Sequence, residues 1–188
     1  MKKTILMCSV ALVALTTGCK KVKDLANISV DIPYTQQVTI PSNSGYEFGF
    51  PLPAGGASIP FPAVAITTNS QSYLDQYHTT ASKVIKVALK GLVLELTSPP
   101  GQNFDFLDSV QIFISAPSHP EMLVAYKYNI GKSQTTLTLI TSNDVNLKDY
   151  FLEETMSLRT TMHINAVPAP GAQMNISTVF NLVANPLY

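Results

Sequence analysis

The chain predicts an all-β fold: an antiparallel β-sandwich of immunoglobulin-like or jelly-roll-like type, with one or two short helices. Three observations predict it. Apolar and polar residues alternate in run after run, the period of a strand with one buried face. Clusters of Pro, Gly and Asn separate the runs and mark turns. Charged residues make up 13% of the chain, against about 25% in soluble domains, and Thr, Ser, Asn and Gln fill the outward positions instead.

Taken in order, Ile28, Val30 and Ile32 alternate with Ser29 and Asp31, and Val38 and Ile40 continue the pattern beyond Pro33 and Tyr34. These are one or two strands. Residues 41–62 change character, mixing Gly45, Gly49, Gly55 and Gly56 with five prolines and with Tyr46, Phe48, Phe50 and Phe61. Proline removes ladder donors, so this stretch is expected as loop or edge strand. Its aromatic residues either cover one open end of the sandwich or form an apolar contact surface. Tyr46, Phe48, Phe50 and Phe61 are the candidate partner-binding residues.

Asn69 or Ser70 can cap a helix carrying Tyr73, Leu74 and Tyr77, and the spacing of Ala81, Val84, Ile85 and Ala88 would extend it. From Ala88 the order Lys90, Leu92, Leu94, Leu96 favours a strand, so the change is expected across residues 83–87. Pro99, Pro100 and Gly101 make a turn. Strands follow at 110–115 and 121–129, with a turn at 117–120 between them. Residues 128–133 turn into a threonine-rich strand at 135–141. Asp144 is expected to cap a short helix ending at Leu152. Strands containing Leu158, Met162 and Ile164, and then Met174, Ile176, Phe180 and Leu182, complete the chain.

The beginning of the chain supplies an address. Lys2 and Lys3 precede a short apolar run from Thr4 to Leu15, too short for a spanning helix of about 20 residues and suited to a targeting segment that is removed. Leu15-Thr16-Thr17-Gly18-Cys19 resembles the lipobox of bacterial lipoproteins, with Thr16 departing from the usual aliphatic residue. The resemblance implies cleavage before Cys19 and diacylation of its sulfur. Residues 1–18 are then a signal peptide, 19–26 a lipidated tether and 27–188 a single domain. Of the two cysteines, Cys8 lies in the removed segment, which leaves Cys19 without a disulfide partner in an oxidising envelope. By resemblance to lipoprotein sorting rules, Lys20 in place of Asp argues against inner-membrane retention. The absence of an acidic cluster there argues against the surface-export tag of Bacteroidetes-type lipoproteins. The expected location is the outer membrane, facing the periplasm.

The chain carries 12 basic and 12 acidic residues, and loss of Lys2 and Lys3 shifts the balance only slightly. Such a domain has no field to attract nucleic acid. Chemical motifs fail one by one. Gly131-Lys132-Ser133 resembles the tail of a phosphate-binding loop, but Tyr126 stands where the first glycine belongs, and a turn explains it better. Asp144, Asn146 and Lys148 have the spacing of a calcium loop with a cation at the third position. His78, His119 and His163 lie far apart and share no thiolate, so no metal site or cofactor is expected. Ser118 beside His119 reads as a loop. The carboxylates Asp105 with Asp108, and Glu153 with Glu154, cannot be placed across a cleft from sequence. Asp108-Ser109-Val110 also resembles a short O-glycosylation sequon of Bacteroidetes envelope proteins.

The function expected is therefore non-enzymatic: a lipid-anchored envelope protein that binds a protein partner through residues 41–62 or an open sheet edge. The alternative is a surface module for glycan or host ligand, with Tyr73, Tyr77, Tyr126 and Tyr128 as a platform. A hydrolase is the third reading.

Overall fold

A computed structural model describes residues 27–40 and 52–185. Cys19, Tyr46, Phe48 and Phe50 lie outside the described residues.

Among the described residues, ten strands and two short α-helices follow one another along the chain. They are β1 (Ile28–Thr39), β2 (Ala57–Pro60), β3 (Val64–Thr67), α1 (Ser70–Gln76), β4 (Val84–Ser98), β5 (Leu107–Ala116) and β6 (His119–Lys127). Then come β7 (Thr136–Thr138), β8 (Ile140–Thr141), α2 (Lys148–Leu152), β9 (Thr155–Ile164) and β10 (Gln173–Ala184). One sheet has the order β1-β10-β4-β7 and the other β2-β9-β5-β6-β8, with β3 also on β9. The recorded pairings are antiparallel. The first strand pairs with the last, and β2 and β3 pair with the next to last. That nesting is the jelly-roll form of the sandwich.

The alternation seen in sequence explains the two layers. Along β10 every second residue, from Met174 to Ala184, is buried and the residues between are partly exposed. The buried halves of both sheets meet in one core that includes Leu92, Leu94, Ile112, Ile114, Met162 and Phe180. Strand β2 ends at Pro60, and β3 resumes at Val64 on the same edge of β9. Phe61 N–H donates to the Thr160 carbonyl at 2.8 Å, so Phe61 sits in a hydrogen-bonded pair and Pro60, one residue earlier, directs its missing donor away from the sheet. Pro60 is thereby tolerated on an edge.

The threonine-rich strand expected at 135–141 is two strands in different sheets. β7 pairs with β4 and β8 with β6, and Leu139 crosses between them, 5% exposed, with its N–H on the Leu92 carbonyl at 3.0 Å. This bend closes one side of the sandwich. Among the described residues no strand closes the other side, between β1 and β2–β3.

Both helices differ from expectation. α1 stops at Gln76, and a 3-10 turn at Ala81–Lys83 leads straight into β4, so the Ala81 to Ala88 spacing belongs to strand. Asn69 has left-handed backbone angles and makes no side-chain cap. α2 begins at Lys148, and it is Asn146, not Asp144, whose Oδ1 accepts the Lys148 N–H at 3.1 Å. The same oxygen accepts the Val87 N–H at 3.1 Å, which ties the segment before α2 to the start of β4.

The ends of the sandwich are distinct. One end gathers the start of β1, the end of β10, the start of β4 and both helices: Ile28 is opposite Ala184, Ala184 opposite Val84, and Leu147 N–H donates to Val87. The opposite end gathers the turns around Gly56, Gly101, Ser133 and Gly171, all with positive φ. Hydrogen bonds from Phe104 to Gln134 and from Asn165 to Phe106 bind these turns together.

Candidate functional site

The alternation that builds the core also decides what each sheet shows to solvent. On the outer face of the β1-containing sheet several polar residues bond to one another, beside outward apolar residues such as Val179 and Val183. Asn181 donates to Ser29 at 2.9 Å and to Asp31 at 2.7 Å, and Lys90 meets Asp31 at 2.5 Å. Thr35 and Ser177 lie 3.3 Å apart. The Lys90 ammonium and the Asn181 amide hold the Asp31 carboxyl below its ordinary value.

The outer face of the other sheet is different. Gln111 on β5 stands opposite Tyr126 on β6 and Thr161 on β9, and Phe113 stands opposite Leu123 and Arg159. Tyr126 in turn stands opposite Ile140 on β8. The Tyr126 and Tyr128 rings are 5.1 Å apart and tilted by 36°, and Gln111 Nε2 donates to the Tyr128 hydroxyl at 2.9 Å. Tyr128 is 49% exposed and Ile140 57%. Arg159 lies with its guanidinium carbon 4.4 Å from the Phe113 ring centroid. It forks onto Glu121 at 2.5 and 2.6 Å and donates to Thr161 Oγ1 at 2.7 Å. The hydrogen bonds from Arg159 push the Glu121 carboxyl below the usual carboxylate range. An aromatic and aliphatic surface with a fixed charged fork is thus built on rigid strands.

Two of the four tyrosines of the expected platform come together and two do not. Tyr126 and Tyr128 lie beside the end of β6 that meets Val110, which pairs with Met162 of β9. Tyr73 and Tyr77 belong to α1 and its C-terminus, reached from β3 where Thr67 pairs with Thr155 of β9. Seven residues of strand, about 23 Å, separate those levels.

Phe61, a candidate partner-binding residue, is 9% exposed and belongs to the core, which fits the covering reading and not the contact-surface one, because it continues the inward alternation of Ile59 past the end of β2. There it lines a recess of about 140 Å³ together with Val38, Val64, Thr160, Met174 and Ile176.

The histidines also find partners that sequence spacing did not suggest. His119 faces Glu153 at 3.7 Å and the Tyr150 ring at 5.0 Å; Ser118 is not among its recorded partners. His163 lies opposite Ser58 across the β2–β9 pair. Its Nε2 is 2.9 Å from the Gly55 carbonyl, which can only accept, so Nε2 carries the proton and Nδ1 accepts from the Ser58 hydroxyl at 3.0 Å. A hydroxyl and an oriented base are two parts of an acyl-transfer site. The third part, a pair of donors converging on an oxyanion, does not accompany them among the described contacts, and the nearby Gly56 N–H is occupied by Pro53.

The carboxylates serve loops. Asp105 Oδ1 accepts the Ser133 N–H at 2.6 Å, which fixes the Gly131-Lys132-Ser133 turn, and Asp108 accepts Asn165 Nδ2 at 2.6 Å. Among the described residues, no group of three or more His, Cys, Asp or Glu side chains could hold a metal ion. No helix among them is long and apolar enough to cross a membrane.

No family model matches the chain, and no curated protein matches it. Solved structures of Desmodium yellow mottle tymovirus align over 97% of this chain and 95% of that one, at 14% identity and a TM-score of 0.28. Turnip yellow mosaic virus aligns over 86% and 82%, at 13% identity and 0.31, and its empty head over 100% and 92%, at 13% and 0.30. Scores of this size carry no argument, and the sandwich rests on its own strand pairing.

Proposed function

We propose that the protein is a non-enzymatic, lipid-anchored accessory of the cell envelope that binds a protein partner through the outer face of the β2-β9-β5-β6-β8 sheet. The observation that carries the reading is the exposure of Tyr128 and Ile140 beside Tyr126, Phe113 and the Arg159–Glu121 fork. Tyrosine and arginine are enriched where protein interfaces hold most of their energy. The Tyr128 hydroxyl is held by Gln111 and the Arg159 guanidinium by Glu121 and Thr161, so part of the side-chain ordering that binding requires is already in place. On the other sheet's outer face Asp31, Lys90, Asn181 and Ser29 bond to one another, and the exposed Ile85 lies at its helix-bearing end. Anchoring through Cys19 in the outer membrane, facing the periplasm, follows from the lipobox resemblance alone.

A photo-crosslinking residue placed at Tyr128, and separately at Val179 on the opposite sheet's outer face, tests the interface in living cells. A discrete protein adduct at Tyr128 and none at Val179 is the expected result. Equal or absent adducts at both positions would overturn it.

A second reading is favoured by the Tyr126–Tyr128 pair with Gln111 and Thr161 alongside. Aromatic faces next to amide and hydroxyl groups also suit a neutral glycan. Binding of the purified protein to glycan arrays, abolished by Tyr128→Ala, would support that reading over a protein partner.

A further inference from the structure

The two ends of the sandwich are unequal, and the chain enters at only one of them. β1 begins at Ile28, level with Ala184 and Val84. The same end carries α1, the 3-10 turn at Ala81–Lys83 and α2, the last held to β4 by Leu147 N–H on the Val87 carbonyl. Cys19 lies eight residues before Asn27, a span that reaches at most about 29 Å when fully extended. β1 itself runs 12 residues, about 40 Å. A tether shorter than the strand it feeds cannot let the far end of the sandwich lie against the surface that holds the tether while the near end points away.

We infer that the helix-bearing end of the sandwich is the face turned toward the lipid surface, with Tyr77 and Ile85 making the contact at the headgroup level. This rests on the lipid-anchored reading of Cys19. Tyr77, at the C-terminus of α1, is 37% exposed, and Ile85, next to the first residue of β4, is 49% exposed. A phenol with an apolar body and a polar tip suits the boundary between headgroups and acyl chains. Charge does not set the orientation. Lys83, Lys86 and Lys148 at this end are outnumbered by Asp75, Asp144, Asp149, Glu153 and Glu154, and the Lys86 ammonium is already bonded to the Asn143 carbonyl at 2.8 Å. The contact therefore forms on zwitterionic lipid and survives added salt. The turns around Gly56, Gly101, Ser133 and Gly171, and the Tyr128 end of the proposed partner face, then point away from the membrane.

The chain contains no tryptophan, so a single introduced one reports its own depth. The full chain, processed in cells and purified with its lipid, is reconstituted in phosphatidylcholine vesicles brominated on the acyl chain near the headgroup. Three variants are compared: Tyr77→Trp, Ile85→Trp, and Val167→Trp in the turn at the opposite end, where Val167 is 49% exposed. Quenching several-fold stronger for Tyr77→Trp and Ile85→Trp than for Val167→Trp, unchanged in high salt, is expected. Vesicle-bound protein with equal or reversed quenching overturns the inference and leaves the anchor intact. Failure of the wild-type chain to float with vesicles, alongside an equally non-floating Cys19→Ala control, overturns the anchor and the inference together.

Discussion

The Tyr34 hydroxyl, on the edge strand of one sheet, donates to the Thr68 carbonyl just beyond β3 of the other. This joins the two layers across the side where no described strand closes the sandwich. Its ring also meets Phe180 edge-on, 5.8 Å between centroids at 77°, so the residue is both a bolt and a piece of core. Thr68 is fully buried, and its own hydroxyl donates to the Glu153 carbonyl at 2.6 Å. The open side is therefore fastened through the segment that leads into β9.

Tyr34→Phe keeps the ring and removes the bolt. A loss of about 1–2 kcal/mol is expected at neutral pH, because a buried carbonyl loses its donor. Burial, with Tyr73 adding to it, raises the Tyr34 pKa above the usual tyrosine value of 10.0. The folded state thus keeps its proton where the unfolded chain gives it up. The wild-type advantage is full below about pH 10 and shrinks as pH rises beyond it. Urea unfolding of both forms at neutral and alkaline pH checks this.

Phe61→Ala should cost about 3 kcal/mol or more, since it leaves a void next to a recess already present. The accompanying measurement is crosslinking from Tyr128. If Phe61 is core, unfolding shifts while the adduct per folded molecule stays constant.

Gly56 and Gly101 have nearly the same φ, +78° and +80°, but their surroundings differ. A Cβ on Gly56 would overlap the Ile164 carbonyl oxygen and press on His163, whereas one on Gly101 meets nothing within 4 Å. Gly101→Ala should cost about 1 kcal/mol from backbone strain alone. Gly56→Ala should cost clearly more, and thermal unfolding of the two variants gives the comparison.

Glu121→Gln removes a partly exposed ion pair and is expected to cost less than about 1 kcal/mol. Arg159 lowers the Glu121 pKa from 4.5, so the stabilisation is present above that value and is lost as pH falls through the lower folded-state value. The two proteins should therefore converge in stability in acid. A difference that persists at low pH would point to packing of Arg159 on Phe113 instead.

The strands were legible because a half-buried sheet imposes period two on its sequence, and Met174 to Leu182 of β10 display it without interruption. Phe104 and Phe106, 0% and 4% exposed, pack inward from a stretch bracketed by turn residues. The helices were less legible. Residues 81–88 satisfy both helical and extended spacing, and pairing of Val84 with Ala184 decides between them. The aromatic face was visible only in part. Tyr126 and Tyr128 are close in sequence, but Phe113, Arg159 and Ile140 join them through three separate strand pairings.

Side-chain alternation and turn chemistry are local properties of short stretches, and they were enough to specify an antiparallel sandwich. The jelly-roll nesting, the division of residues 135–141 between two sheets, the burial of Phe61 and the partnership of Ser58 with His163 emerge only in the folded chain. Each of these depends on which distant strand supplies the partner backbone. Register is a relation between two segments, and neither segment alone contains it.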